Sequence, residues 1–185
     1  MPAASSKTAT FKTIALIGNP NTGKTTLFNI LTGLSQQVGN YPGVTVERKS
    51  GSFNLGTEQV IDLLDLPGTY SLAAHSPDQM IAVDVLLGHQ EGVAPVDAIV
   101  AIVDASNLSR NLYLVSQLIE SDLPLVIALN MSDLAQARGI HIDVTTLQAR
   151  LGVPIVPISA HRRQGIENLL QAIGGMVVDA KPVAA

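Results

Sequence analysis

An apolar run, Phe11 to Ile17 (FKTIALI), passes without a linker into Gly18-Asn19-Pro20-Asn21-Thr22-Gly23-Lys24-Thr25. Few arrangements are open to such a join. A strand must end near Gly18, the backbone must turn at once, and a helix must start at about Lys24 and run to Gly33, a C-cap glycine. The octet matches G-x-x-x-x-G-K-[ST] at every fixed position, the pattern of a loop that cradles phosphate. Gly18 and Gly23 permit backbone angles in which successive N–H groups converge on an anion at a helix N-terminus. Lys24 supplies a cation to the β- and γ-phosphates, and Thr25 offers a hydroxyl to Mg²⁺. Asn19, Pro20, Asn21 and Thr22 complete the loop, and Thr26 is the next phosphate contact along the helix.

The remainder alternates short apolar runs with amphipathic stretches, which predicts one α/β domain with a mostly parallel six-stranded sheet and helices on both faces. After the strand at Phe11–Ile17, the expected strands are Val44–Leu55 and Gln59–Asp65 (an antiparallel pair), Asp97–Asp104, Pro124–Asn130 and Ile155–Ile158. Gly39–Gly43 reads as a loop. Further helices are expected at Pro77–Leu87, with Ser76 as N-cap, and at Leu108–Glu120, Val144–Leu151 and Ile166–Val178. Met80 and Met176 are expected at helix core positions, and His75, His89, His141 and His161 in solvent. Ligands of such a sheet bind at the carboxyl ends of its strands.

Composition narrows the chemistry. The 185 residues include no Cys and no Trp, with 11 Lys+Arg against 15 Asp+Glu for a net charge of −4. Thiolate catalysis and Cys-held zinc or iron–sulfur centres are excluded. Nucleic acid is not an expected partner, since no basic run exists to neutralise phosphates. The apolar runs are strand-sized, far short of the roughly 20 residues that cross a bilayer. Residues 1–10 read as a disordered leader, 11–178 as the nucleotide-binding domain and 179–185 as a tail.

Three more motifs fall at predicted strand ends. Asp65-Leu66-Pro67-Gly68 has the form of the second Mg²⁺ motif, with Asp65 on the metal through a water and the Gly68 amide on the γ-phosphate. Asn130-Met131-Ser132-Asp133 has the shape N-[KM]-x-D. Its aspartate can accept from both guanine N1–H and the 2-amino group, and adenine would leave it unpaired at a cost of about 1–3 kcal/mol or more. Taken alone, Asp133 also suits the first turn of a helix over Leu134–Arg138. Ser159-Ala160 completes the base pocket, the Ala160 amide facing guanine O6. In this order the four motifs read as a GTP-binding domain.

The stretch Val38-Gly39-Asn40-Tyr41-Pro42-Gly43-Val44-Thr45-Val46-Glu47 resembles the first switch of the ferrous iron transporter B (FeoB) family. So do Asp65 to Leu72 (DLPGTYSL), Ser76-Pro77-Asp78-Gln79, the phosphate-loop run to Asn29, and Met131 where most small GTPases carry lysine. The resemblance covers about residues 12–178 and implies a Ras-like P-loop GTPase. It implies that Gly43, Val44 and Thr45 meet the nucleotide, with Thr45 on Mg²⁺ only while the γ-phosphate is present. It further implies that Asn21, with backbone groups of Gly39 and Tyr41, holds K⁺, which does the electrostatic work of an arginine finger. Asn21 after Pro20 is also an ordinary turn residue. Lys24, Thr45, Gly68 and Asn21 are then the catalytic set.

Departures carry expectations too. Thr69 stands where Ras-like GTPases place the glutamine that orients water, so intrinsic hydrolysis is expected to be slow. Tyr41 stands where Trp is more usual, and His161 where many GTPases have Lys. The resemblance implies a parent with a helical domain that slows GDP release and a membrane permease domain carrying Fe²⁺ in the bacterial inner membrane. This domain would lie on the cytoplasmic side, with self-association through the switches as a further partner interaction. The competing expectation is a cation-dependent GTPase of ribosome assembly or tRNA modification.

Overall fold

The structure is a computed structural model that describes residues 12–56, 59–73 and 75–179. The proposed leader and nearly all of the tail lie outside those residues. Seven strands form one sheet: β1 Lys12–Gly18, β2 Gln36–Asn40, β3 Glu47–Leu55, β4 Gln59–Asp65, β5 Ala98–Asp104, β6 Leu125–Asn130 and β7 Ile155–Pro157. Their order is β2-β3-β4-β1-β5-β6-β7. Strands β4, β1, β5, β6 and β7 run parallel, while β3 is antiparallel to both β2 and β4.

The helices are α1 Lys24–Thr32, α2 Pro77–Leu86, α3 Leu108–Ile119, α4 Ser132–Ala137, α5 Val144–Leu151 and α6 Ile166–Asp179. Alternation along β1 divides the core. Ala15 and Ile17 join α2 and α3 residues such as Ala82, Val85, Leu114 and Leu118 on one face. Ile14 and Leu16 join Leu27, Phe28, Leu169 and Ile173 of α1 and α6 on the other. Every residue of β6 is buried, as a strand covered on both faces must be.

Two expectations are corrected. The sheet has seven strands rather than six, because Gln36–Asn40 pairs with β3 from Gln36↔Gly51 to Asn40↔Glu47. Gly39 and Asn40 therefore lie in a strand, and only Tyr41–Val46 forms the connecting loop. All five β2 residues are exposed, so no inside–outside alternation marks the strand. Met80 is the second correction: it is 55% exposed on α2, whose buried stripe is Ile81, Ala82, Val85 and Leu86. Met176 packs, partly buried, against the α1–α6 core. All four histidines are exposed, and the Ser76 hydroxyl caps α2 by accepting from the Gln79 amide at 3.3 Å.

Candidate nucleotide-binding site

Strand β1 lies between β4 and β5, where the winding of the sheet reverses and a crevice opens at the strand ends. The phosphate loop fills that point. Asn21 and Gly23 adopt positive φ of 64° and 88°. Gly18 and Gly23 also meet close neighbours: a Cβ on Gly18 would stand 2.5 Å from the Ile102 carbonyl oxygen, and one on Gly23 2.4 Å from Asn130 Nδ2. The Thr22 hydroxyl donates to the Asn19 carbonyl at 2.8 Å. The Asn19 side chain is buried with both polar atoms lacking a protein partner. Thr25 and Thr26 are exposed at the start of α1, as is Pro20 in the loop.

Lys24 and Asp65 form an ion pair, their side chains only 14% and 7% exposed. The pair joins the phosphate loop to the end of β4. Each charge is partly stripped of water and balanced by the other. Lys24, Thr25, Thr45, Asp65 and Gly68 line one cleft of about 400 Å³. Three separate segments thus bring the Asp65 carboxylate and the Thr25 and Thr45 hydroxyls to the same space, hard oxygen donors that fit Mg²⁺, and Glu47, Asp78 and Lys49 also line it. Among the described residues, no three His, Cys, Asp or Glu side chains group closely enough to hold a metal ion.

The segment after β4 is tied to the loop beside it. Leu66 N–H donates to the Leu16 carbonyl at 3.0 Å and Thr69 N–H to the Gly18 carbonyl at 3.1 Å. Thr69 is buried, and its hydroxyl donates to the Ser71 carbonyl at 2.6 Å.

Asn130 is a strut. Its Nδ2 donates to the Thr22 carbonyl at 2.8 Å, and its Oδ1 accepts from the Ala160 amide at 2.9 Å. The phosphate loop and the base loop are therefore held to one side chain, and the Ala160 amide is engaged with it. Met131 turns the chain at φ 58°, and the Ser132 hydroxyl donates to the Leu129 carbonyl at 2.7 Å. Asp133 and Ser159 border a hollow of about 170 Å³. Burial alone would raise the Asp133 carboxyl; the Ser159 hydroxyl, the Leu134 amide and the Arg162 guanidinium outweigh it and hold the group below its ordinary value.

The three groups expected at K⁺ lie on two segments. Asn21 is exposed on the phosphate loop, Gly39 pairs with Arg48 in β2, and Tyr41 begins the β2–β3 loop. Gly43, Val44 and Thr45 follow in that loop, all exposed. Tyr41 N–H donates to the Val46 carbonyl at 3.0 Å, and its ring is buried with Leu66, Ala82 and Val85. Burial pushes its phenol up to about 12, against the pull of Arg48 and with the push of Asp65. Sequence reasoning assigns Tyr41 a backbone role and misses this anchor. It also misses Arg162, whose Nε lies 3.1 Å from Asp133 Oδ2.

The sequence profile of the family described as Ferrous iron transport protein B matches residues 12–173. The Fe(2+) transporter FeoB of Escherichia coli K12 is 51% identical over 165 residues, covering 87% of this chain. The chain spans about a fifth of the length of such curated relatives, 21% in that case. The solved cytosolic domain of L. pneumophila FeoB is 48% identical with a TM-score of 0.82, covering 89% of this chain and 68% of that one. A point mutant of S. thermophilus NFeoB bound to mGDP is 47% identical with a TM-score of 0.80, covering 88% and 60%. On the profile match and these identities, the chain belongs to the ferrous iron transport protein B family and has the P-loop GTPase fold of its G domain.

Proposed function

We propose that this domain binds GTP and GDP with Mg²⁺ and slowly hydrolyses GTP to GDP and phosphate, with K⁺ stimulation, as the regulatory domain of a bacterial ferrous iron transporter. The observation that carries the proposal is the single cleft shared by Lys24, Thr25, Thr45, Asp65 and Gly68. The backbone N–H groups of the loop from Asn19 to Thr26, all but Pro20, receive the phosphates, and Lys24 exchanges its carboxylate partner for the β- and γ-phosphates. Thr25, Asp65 and Thr45 would hold Mg²⁺, which supplies charge neutralisation to the phosphates when bound. The Gly68 amide donates to the γ-phosphate. Asp133 reads guanine N1–H and the 2-amino group, while Met131, Ser159 and Ala160 border the base.

Slow turnover is supported by Thr69. Its hydroxyl is committed to Ser71, and its side chain is too short to orient an attacking water. Asn21, with backbone groups of Gly39 and Tyr41, would hold K⁺. The relatives' names support a role in Fe²⁺ transport, with a membrane permease domain as partner and this domain on the cytoplasmic side. Switch-mediated self-association is part of the same reading.

The test is GTP hydrolysis with Mg²⁺ in KCl against NaCl at matched ionic strength. A clear gain in K⁺ is expected, and an Asn21→Ala variant should lose it. Equal slow rates in both salts would remove the K⁺ site and leave a GTP-binding switch. Failure to bind GTP at all would sink the whole reading.

A further inference from the structure

The guanine-reading aspartate is not free in this structure. Arg162 Nε stands 3.1 Å from Asp133 Oδ2, with 61% of the arginine side chain and 25% of the aspartate side chain exposed. The loop that carries the arginine is tightly tied. Ser159 and Gln164 exchange backbone hydrogen bonds at 3.1 and 3.0 Å, and Arg162 N–H donates to the Ser159 carbonyl at 3.1 Å. Arg163 takes φ 55° and Gly165 φ 75°, and a Cβ on Gly165 would sit 2.4 Å from the Pro157 carbonyl oxygen. A loop bound this closely presents its arginine from a fixed base.

We infer that Arg162 is a positioning residue for guanine recognition: it holds one oxygen of Asp133 so that the carboxylate plane is set before the base arrives. The inference rests on the reading of Asp133 given above. Recognition needs both carboxylate oxygens in the plane of the base, one for N1–H and one for the 2-amino group. A carboxylate oxygen carries two lone pairs, so Oδ2 can keep the arginine and still accept from the base. Without Arg162 the carboxylate is held mainly by Ser159 and the Leu134 amide, and a share of its orientation is lost before each binding event.

The size follows from exposure. A pair this open to water supports about a fivefold effect at most. It should fall on the base and leave the phosphates untouched.

The experiment measures fluorescent GDP release by stopped flow, and the affinities of GDP and IDP by competition, for the wild-type domain, Arg162→Ala and Arg162→Lys. IDP lacks the 2-amino group and cannot use the second oxygen. Arg162→Ala is expected to speed GDP release by about threefold to fivefold, to lower the GDP-to-IDP preference by a similar factor, and to leave the melting temperature unchanged. Arg162→Lys, which keeps the charge but loses the planar donor, should recover part of both. Unchanged release and unchanged preference would overturn the inference. Tighter GDP binding in Arg162→Ala would also overturn it, by showing that the arginine competes with the base. A wild-type domain that bound neither nucleotide would instead defeat the assignment of the site.

Discussion

The two walls of the cleft are built differently. The wall of β1, β5 and β6 is anchored in strands buried on both faces, and its loops are cross-tied: Asn130 reaches both Thr22 and Ala160, and Thr69 reaches Gly18. The wall of β2 and β3 is an edge hairpin. All of β2 is exposed and Thr45 is exposed; the wall is anchored by the Tyr41 ring, in the same core cluster as Leu66 and α2, and by Phe53 of β3 in the other. One wall is a preorganised cradle. The other carries an exposed loop whose buried anchor is Tyr41, the kind of element whose position a ligand can bias cheaply. The difference suits the switch proposed above, in which guanine and the inner phosphates are held in both states and the outermost phosphate engages only the exposed loop.

Two substitutions and one titration break or sharpen this contrast. Lys24→Ala strikes the cradle and should have the largest effect. It removes a charge from the phosphates and leaves Asp65 uncompensated, so nucleotide affinity should fall about a hundredfold or more by calorimetric titration. Retention of tight binding would contradict the phosphate-loop assignment. Thr45→Ala strikes only the exposed loop. GDP affinity should stay within about twofold of wild type, while GTP hydrolysis drops about tenfold for the lost contact. An equal loss of GDP affinity would show that the two walls are not separable.

The smallest effect concerns the Tyr41 anchor itself. An ordinary phenol titrates at 10, whereas burial pushes Tyr41 up to about 12. The unfolded chain then gives up this proton first, so the contribution of Tyr41 is whole below pH 10 and is lost as pH rises through 12. Phenolate absorbance should show one tyrosine titrating near 12, alongside a stability loss confined to that window. Absence of any tyrosine titrating near 12 would mean that the Tyr41 ring is not seated.

The cradle was legible because its motifs answer to backbone geometry. Gly18 and Gly23 stand where a Cβ collides with Ile102 and Asn130, so the residue types betray the positions. The five parallel strands were legible from their apolar runs. The edge hairpin was not. Gln36–Asn40 has neither alternation nor β-branched enrichment, and what makes it a strand is pairing with β3. Met80 shared a helical stretch with four buried neighbours yet faces solvent, because that short stretch was apolar on more than one side. Asn130 could be read as part of a base motif, but its bonds span 108 and 30 residues, which no local pattern encodes. Arg162 looked like any exposed arginine until the fold set it on Asp133.

The seating of Tyr41 bears on how the domain can be watched. The chain has no tryptophan and three tyrosines. Tyr41 anchors the β2–β3 loop that carries Thr45, and Tyr70 follows Gly68 after β4 with the Arg110 guanidinium 4.2 Å from its ring centroid. Only Tyr113, 60% exposed on α3, lies on neither. Two of the three tyrosines that can emit therefore lie on the segments proposed to contact the γ-phosphate. Replacing Tyr113 by phenylalanine would leave a protein whose native tyrosine fluorescence reports those two segments alone, without a dye on the nucleotide or an inserted indole.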